Sequence, residues 1–402
     1  MYNKQRFLPR LGVRLSVAAG ALALLIALPW EKNIDTQFYW DRSPVDNVGE
    51  QDTRTFTRSV LHITSRGTPL EAWLYLPKHS SSPSPVLVMA HGMGAQKDIG
   101  LFMYAEKFVE AGMAVLIFDY RGFGGSGGLP RHWVSPRRHI QDWHAVVAHV
   151  QATNLGGQVD GSRVALWGVS YAGGHVLVTA AKFGSNISAV IANEPYVSPA
   201  AVLSTAGVRG VGRTLRLLAV GISDELRRLL GHVGLRLPPV YLRLVAPITD
   251  PKALALLPLQ ESEMAIRNVH APPKRQGGWQ NKVLARVVLE ALGYNPSRHF
   301  SKITAPIFFR VASLDHLCPP SVVLSAVKKS GWPEQQYVIQ QRNVTHLEAH
   351  STGVREQDIK PVMAFLRQHL RLGGGDAGAA AGQETLSVEG AEEMAETQFP
   401  SS

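Results

Sequence analysis

The chain has 402 residues, of which 45% are hydrophobic, so it is long enough to bury a large core. Its formal net charge of +10 would permit acidic partners. The basic residues are scattered, however, and no nucleic-acid-binding motif accompanies them, so the sequence predicts no nucleic-acid partner. The single cysteine, Cys318, excludes an internal disulfide framework and any metal site built from several cysteines.

The first thirty residues differ in composition from the rest of the chain. Several basic residues precede a run from Leu15 to Trp30 that contains no charged side chain. The apolar flank from Leu11 lengthens this run toward the about 20 residues of a membrane-spanning helix. The sequence therefore predicts a membrane-associated protein that is held by residues 11–30, within an N-terminal segment of residues 1–45. A cleaved signal peptide and a peripheral or buried helix are the alternatives.

From about Thr53 the chain alternates between predicted strands and predicted helices. Two β-rich runs on either side of Arg66-Gly67-Thr68 predict a hairpin. The later elements, in chain order, are a strand at 86–91, a helix that ends at about Ala111, a strand at 113–120, a helix at 136–153, a strand at 163–167, a helix at 171–184, strands at 187–192 and 306–312, a helix at 321–330, a strand at 335–341 and a helix at 354–370. Strands separated by helices form mostly parallel sheets that are covered on both faces, so the sequence predicts an α/β fold.

Two stretches depart from this alternation. Residues 196–300 are rich in Leu, Arg and Pro, with helical spacing and no clear strand. They predict a helical cap that is inserted into a core made of residues 46–195 and 301–372. Residues 373–402 are mostly Gly, Ala, Glu and Ser, which bury little apolar surface, and predict a disordered tail.

The stretch at 163–174, which reads RVALWGVSYAGG, carries the most specific signal in the chain. A short apolar run predicts a strand, Gly168 ends that run, and helical spacing begins directly after Ser170. A serine at a sharp turn between a strand and a helix is the setting of a nucleophile elbow. The pattern departs from G-x-S-x-G at one position, because Ala172 occupies the place of the second glycine.

A catalytic serine of this kind needs an acid and a base that follow it in the chain, in the order Ser, Asp or Glu, His. Asp315 follows the predicted strand at 306–312, and His346 lies in the loop after the next predicted strand. In these positions His346 would take the proton of the serine, and Asp315 would hold the imidazole in the required tautomer. Glu194 is the alternative acid, and His350 is the alternative base.

An oxyanion hole needs two backbone N–H groups close to the serine. The first expected donor is the backbone N–H of Tyr171, the residue after the nucleophile. The loop at 91–94, which reads His-Gly-Met-Gly, predicts Met93 as the second donor. The glycine-rich loop at 121–128 lacks the Lys-Ser/Thr ending of a phosphate-binding loop, so it is interpreted as a tight turn at the rim of the pocket.

The sequence predicts neither a metal site nor a cofactor. His139, His144 and His149 are each five residues apart, and a five-residue step turns a helix by about 140°, so the three cannot share one face. No H-E-x-x-H pattern is present in the sequence. Cys318 lies close to Asp315 in the chain and is interpreted as a packing residue.

Taken together, the motifs HGMG, DYRGFGGS and GVSYAGG, with Asp315 and His346, resemble the α/β-hydrolase superfamily. The run SYAGG after a leading hairpin is similar to the branch that holds dienelactone hydrolases, prolyl-peptidase-like esterases and polyketide thiohydrolases. The resemblance implies an eight-stranded, mostly parallel sheet with a helical cap after the sixth strand. It also implies hydrolysis or transfer of an ester, thioester, lactone or amide.

The leading hypothesis is a cofactor-independent serine hydrolase. Ser170 would attack a carboxyl ester or thioester to form an acyl-enzyme, and water activated by His346 would release the acid. The Leu- and Val-rich cap suggests a small-molecule substrate with a hydrophobic acyl group. An acyltransferase or a peptidase would use the same residues. A non-catalytic binding protein that keeps the fold is the alternative from a different class.

Overall fold

The computed structural model describes residues 49–79, 83–202, 210–250, 254–259, 278–351 and 355–372, together with Gly20. Its strands are β1 (Gln51–Asp52), β2 (Phe56–Ser65), β3 (Thr68–Pro77), β4 (Ser84–Ala90), β5 (Ala114–Phe118), β6 (Val159–Val169), β7 (Ala189–Asn193), β8 (Tyr241–Pro247), β9 (Ala255–Leu259), β10 (Val283–Leu284), β11 (Ile307–Ala312) and β12 (Tyr337–Arg342). Its α-helices are α1 (Leu101–Glu110), α2 (Pro136–Gly157), α3 (Tyr171–Phe183), α4 (Val211–His232), α5 (Val287–Gly293), α6 (Pro320–Ser330), α7 (Glu348–Ser351) and α8 (Glu356–Leu370).

Within the described residues, nine strands form the main sheet, in the order β1-β2-β3-β5-β4-β6-β7-β11-β12. The pairs β1–β2, β2–β3 and β3–β5 are antiparallel. The pairs β5–β4, β4–β6, β6–β7, β7–β11 and β11–β12 are parallel. The predicted α/β fold, with a mostly parallel sheet and an antiparallel hairpin toward one edge, is confirmed. The sheet has nine strands where the resemblance implied eight, and one of them, β1, is only two residues long.

Helices cover the central strands on both faces, which explains their continuous apolar sequences. Every residue of β4, β5 and β7 is buried. In β4, Val86 and Val88 pack with residues of α2 and α3, whereas Leu87 and Met89 pack with residues of α1 and α8. A strand with two covered faces needs apolar residues at successive positions rather than at alternate ones. The sheet therefore separates two apolar layers and presents the carboxyl ends of its parallel strands at one edge.

The segment at 196–300 is more varied than the sequence suggested. Its described residues include α4 and α5, and also β8, β9 and β10, which form a second sheet of three strands in the order β10-β8-β9. The sequence indicated helices alone in this segment. β8 and β9 are seven and five residues long, and periodicity cannot distinguish an apolar run of that length from part of a buried helix.

No helix in the part of the chain that the structure describes is long and apolar enough to span a membrane. This finding contradicts the predicted membrane anchor over residues 11–30 and the membrane-associated location that was expected from it. A spanning helix needs about 20 apolar residues, and the uncharged run from Leu15 to Trp30 is shorter than that. Residues 11–30, apart from Gly20, and the predicted tail at 373–402 lie outside the described residues.

A buried lysine joins three segments of the main fold. The Lys97 side chain is fully buried, and its Nζ forms ion pairs with Asp119 and with Glu71, the latter at 2.6 Å. The backbone N–H of Lys97 also donates to Asp119 Oδ1 at 2.8 Å. Burial opposes ionisation of Asp119, but the charge of Lys97 outweighs it and holds the pKa of that carboxyl below its usual value. These contacts hold the loop after β4 against β3 and the end of β5.

We expect Lys97→Ala to lower the free energy of unfolding by about 3–5 kcal/mol, because the substitution leaves a buried carboxylate without its cation. Urea denaturation would measure the loss. Lys78→Ala is the matched control: Lys78 pairs with Asp52, whose side chain is 75% exposed, and such surface pairs contribute at most about 1 kcal/mol. Equal losses in the two variants would contradict the role assigned to Lys97.

Candidate active site

Ser170 lies at the sharp turn between β6 and α3. Its backbone has φ 56° and ψ −117°, a conformation that residues other than glycine adopt only where their surroundings enforce it. The Ser170 N–H donates to the carbonyl of Asn193 at 2.8 Å, and the Ser170 carbonyl accepts from the N–H of Tyr196 at 2.9 Å. The end of β7 and the chain after it therefore hold the turn from both sides.

Close backbone packing explains which small residues the turn requires. A Cβ on Gly168 would lie 2.3 Å from the carbonyl oxygen of Ala172, and a Cβ on Gly174 would lie 2.3 Å from the carbonyl oxygen of Tyr196. Ala172 itself is fully buried within the fold. The turn therefore tolerates Ala172 in place of the second glycine of G-x-S-x-G. The positions where a side chain would come closest to a backbone carbonyl oxygen are Gly168 and Gly174.

His346 and Asp315 converge on Ser170. The Nε2 atom of His346 lies 2.9 Å from the Oγ of Ser170, and its Nδ1 atom lies 2.5 Å from the Oδ2 of Asp315. A carboxylate accepts hydrogen bonds, so Nδ1 carries the proton and Nε2 can accept one from the serine hydroxyl. The N–H groups of Leu317 and Cys318 donate to Asp315 Oδ1 at 2.8 and 2.7 Å, which fixes the carboxylate. The arrangement can transfer a proton from Ser170 to His346.

Glu194, the alternative acid, is paired with Arg342. It follows β7 with φ 40°, and its Oε1 accepts a hydrogen bond from the Arg342 guanidinium at 2.6 Å. Burial disfavours the charged form of Arg342, but the Glu194 charge outweighs it, and the pKa of Arg342 is raised. The structure thus brings Asp315, and not Glu194, to the imidazole of His346. His350 lies on the short helix α7.

The two residues expected to supply oxyanion donors flank the serine. Tyr171 is the first residue of α3, where a helical N–H has no acceptor in the preceding turn. Met93 lies in the loop after β4, and both residues line the same cavity as Ser170. A Cβ on the preceding residue, Gly92, would lie 2.9 Å from the carbonyl oxygen of Val169 and 3.0 Å from the Cβ of Ser170. The loop that carries Met93 therefore packs directly against the serine.

An apolar cavity of about 70 Å³ lies beside the Ser170 hydroxyl. The segment at 196–300 supplies much of its wall, namely Val202, Leu217, Leu256, Leu257, Val288 and Ala291. Among the described residues that line it, none carries a charged side chain. The cavity is small compared with the about 300–1,000 Å³ of a pocket for a drug-sized ligand. It suits a short, uncharged group attached to the carbonyl that the serine attacks.

Cys318 lies closer to the site than the sequence suggested. It lines the same cavity as Ser170. Its Sγ lies within 4.8 Å of ligand atoms of Asp315 and His346, and all three residue types can bind metals. Burial, reinforced by the Asp315 charge, raises the pKa of the Cys318 thiol well above its ordinary value, whereas a metal requires the thiolate. The sequence feature that indicated a place near the site is the position of Cys318, three residues after Asp315. The absence of a metal site stays a prediction.

Two buried histidines lie behind the turn. His175 is on α3, and its Nδ1 lies 2.7 Å from the hydroxyl of Tyr294. His139 is on α2 and stacks on Tyr120 with ring centroids 3.9 Å apart, whereas His144 of the same helix packs near Phe183. Burial lowers the pKa of His175 to about 3 and the pKa of His139 well below its ordinary value. Both imidazoles are neutral in the folded protein at neutral pH.

We expect the free energy of unfolding to fall as the pH is lowered below about 6.5. The unfolded chain protonates His175 near pH 6.5, whereas the folded chain keeps it neutral down to about pH 3, so the unfolded state binds more protons in between. The loss from this residue is about 1.4 kcal/mol per pH unit below 6.5. Urea denaturation from pH 7.5 to pH 5.5 would measure it. His175→Gln should reduce the pH slope, and an unchanged slope would contradict this assignment.

Comparisons with known proteins find a hydrolase family and several relatives. The hydrolase family described as serine aminopeptidase, S33, matches residues 81–342, which is more than half of the chain. A quorum-quenching protein, AidA, from Acinetobacter baumannii is 33% identical over 264 residues, which cover 66% of this chain and 81% of the relative. A thiohydrolase, aneE, from Aspergillus aculeatus is 33% identical over 148 residues, which cover 37% of this chain and 44% of the relative.

One relative is similar both in sequence and in solved structure. A polyketide transferase, grgF, from a Penicillium species is 26% identical over 318 residues, which cover 79% of this chain and 98% of the relative. The crystal structure of the α/β hydrolase GrgF from Penicillium superimposes with a TM-score of 0.61 and covers 78% of this chain and 99% of that chain.

Proposed function

This chain belongs to the α/β-hydrolase family described as serine aminopeptidase, S33, and we propose that it cleaves a carboxyl ester or thioester with a short, hydrophobic acyl group. The resemblance to α/β hydrolases that the motifs indicated is confirmed, and the chain is a hydrolase. The observation that carries the finer proposal is the hydrogen-bonded series Ser170–His346–Asp315 beside an uncharged cavity.

In the proposed mechanism, Ser170 is the nucleophile. Its Oγ forms a bond to the acyl carbon while Nε2 of His346 removes the hydroxyl proton, and Asp315 stabilises the resulting imidazolium. The imidazolium then protonates the leaving alcohol or thiol as its bond to the acyl carbon breaks. Water loses a proton to His346 and attacks the acyl-enzyme, which releases the acid and restores the serine.

The negative oxygen of each tetrahedral intermediate needs hydrogen-bond donors that are already in place. We assign this role to the backbone N–H groups of Tyr171 and Met93, because both residues line the same cavity as Ser170. In other enzymes, one such donor contributes about 10²–10³ to kcat. The tight packing of Gly92 on the serine turn supports this position, because it holds the Met93 loop against the reacting centre.

The lining of the cavity favours an ester or thioester over a peptide with a free amino terminus. An aminopeptidase must accept the α-ammonium group of its substrate, and a buried ammonium needs an anionic partner. In the described part of the lining there is no such partner. Asp315 already accepts from His346, and Glu194 accepts from Arg342. The thiohydrolase among the relatives supports thioesters as one substrate class.

Acyl transfer is a second candidate, which the polyketide transferase among the relatives favours. A transferase would form the same acyl-enzyme on Ser170 and would differ only in the acceptor, an alcohol or amine in place of water. The apolar lining of the cavity is compatible with both reactions. The proportion of acid to transferred ester, measured with an added alcohol, would separate the two.

We expect Ser170→Ala to reduce kcat by at least about 10⁴-fold while the fold is retained, because only the attacking hydroxyl is deleted. Hydrolysis of a nitrophenyl ester and labelling by a fluorophosphonate would both be measured, with circular dichroism as the test of folding. Ser162→Ala, at an exposed serine of β6, is the matched control and should keep full activity. Substantial turnover by Ser170→Ala would exclude this serine as the nucleophile.

The choice between the two carboxylates can be tested by a pair of isosteric substitutions. Asp315→Asn should lower kcat by about 10³–10⁴-fold, because an amide no longer holds the imidazole tautomer. Glu194→Gln should instead lower the free energy of unfolding, because the partner of Glu194 is the buried guanidinium of Arg342. Steady-state kinetics and urea denaturation of both variants would measure the two effects. A larger loss of kcat in Glu194→Gln would reverse the assignment.

The substrate class can be tested with a series of nitrophenyl esters and matching thioesters of increasing acyl length. We expect kcat/KM to be highest for short acyl groups and to fall for long ones, because the cavity of about 70 Å³ holds few carbon atoms. Aminoacyl nitroanilides, the control for an aminopeptidase, should react at background rates. A preference for the nitroanilides would contradict the proposed class of substrate.

A further inference from the structure

Two polar side chains lie in strands of the main sheet that are otherwise apolar. β7 reads AVIAN and ends at Asn193, and β11 reads IFFRVA and contains Arg310. Asn193 is 0% exposed and Arg310 is 1% exposed. A polar or charged group costs free energy when it is buried, and apolar residues at both positions would avoid that cost. The pair therefore needs an explanation beyond the packing of the sheet.

Asn193 joins the neighbouring strands on both of its sides. In the sheet it lies opposite Val169 of β6 and opposite Arg310 of β11. A guanidinium can only donate hydrogen bonds, so Nη1 of Arg310 donates to Oδ1 of Asn193 at 3.0 Å. The amide is thereby oriented with its Nδ2 toward β6, where it donates to the Gly168 carbonyl at 3.0 Å. Arg310 therefore determines which end of the Asn193 amide meets the strand before the serine turn.

The same asparagine also holds the serine itself, because its backbone carbonyl accepts from the Ser170 N–H at 2.8 Å. The positive φ of Ser170 persists only where the surroundings fix it. Its Oγ lies 2.9 Å from Nε2 of His346, and a displacement of about 1 Å can slow a reaction about 10²-fold. We propose that Asn193, oriented by Arg310, is a positioning residue that holds the Ser170 hydroxyl within hydrogen-bond distance of His346. This inference rests on the proposed function of Ser170 as the nucleophile.

An aspartate at position 193 would keep one of the two side-chain interactions and remove the other. Its carboxylate, which the Arg310 charge keeps ionised, still accepts from the guanidinium. It has no proton to donate to the Gly168 carbonyl. Asn193→Asp should therefore lower kcat by about 10- to 100-fold. KM should change by less than about twofold, because Asn193 is not among the described residues that line the cavity. The urea midpoint should not fall, because the buried Arg310 gains a counter-ion.

A double variant removes the polar pair without leaving a buried charge unpaired. In Asn193→Leu combined with Arg310→Met, both residues become apolar residues of similar shape, an exchange that is often neutral for stability. The hydrogen bond to the Gly168 carbonyl is lost while the strands stay packed, so kcat should again fall by about 10- to 100-fold. Asn186→Asp is the matched control, because Asn186 is exposed and lies between α3 and β7. It should keep the kcat and KM of the wild type.

Three measurements on each variant test the inference: steady-state hydrolysis of a short-chain nitrophenyl ester, urea denaturation, and amide hydrogen exchange of residues 168–174. The expected result is a lower kcat and faster exchange of the Ser170 N–H at an unchanged urea midpoint. A loss that was only structural would instead lower the urea midpoint. A folded variant that keeps the wild-type kcat would overturn the positioning role.

Hydrogen exchange needs no substrate, so it separates this inference from the proposed function. A wild-type chain that hydrolyses no ester or thioester and takes up no fluorophosphonate would refute the proposed function alone. In that case exchange at Ser170 decides the inference. Faster exchange in both variants would support the hold of Asn193 on the turn, and exchange equal to that of the wild type would overturn it.

Discussion

The arrangement of the site depends on the strained turn at Ser170. Its positive φ costs about 1–3 kcal/mol, which the hydrogen bond from its N–H to the Asn193 carbonyl and the packing of Gly168 help to offset. The Asn193 side chain also donates to the Gly168 carbonyl at 3.0 Å. The parallel sheet then places the loops after β11 and β12 at the same edge, and these loops carry Asp315 and His346.

Much of the fold could be predicted from the sequence because its signals are local. The central strands are continuous apolar runs, and Ser170 and Asp315 each follow such a run, whereas His346 follows the edge strand β12. The short strands β8 and β9 could not be predicted, because their apolar runs are too short to show a period. The place of Cys318 in the same cavity as Ser170 depends on how the loop after β11 folds, which no sequence spacing specifies. The membrane anchor was wrong because its apolar run is too short.

The segment at 196–300 supplies part of the cavity wall and contains a buried ion pair. Leu217 of α4 lines the cavity beside Ser170. A buried ion pair anchors the same helix, since Asp224 accepts from the Arg286 guanidinium at 2.6 and 3.0 Å. The ion pair therefore helps to hold this part of the cavity wall in place.

The most direct test of the proposed chemistry is the intact mass of the protein, measured shortly after it is mixed with a short-chain nitrophenyl ester or thioester. A serine hydrolase of the proposed kind should gain the mass of one acyl group, located by peptide mapping at Ser170, and should lose it again as the acid is released. An acyl group on another residue, or substrate turnover that leaves the mass unchanged in wild type and Ser170→Ala alike, would contradict covalent catalysis by Ser170.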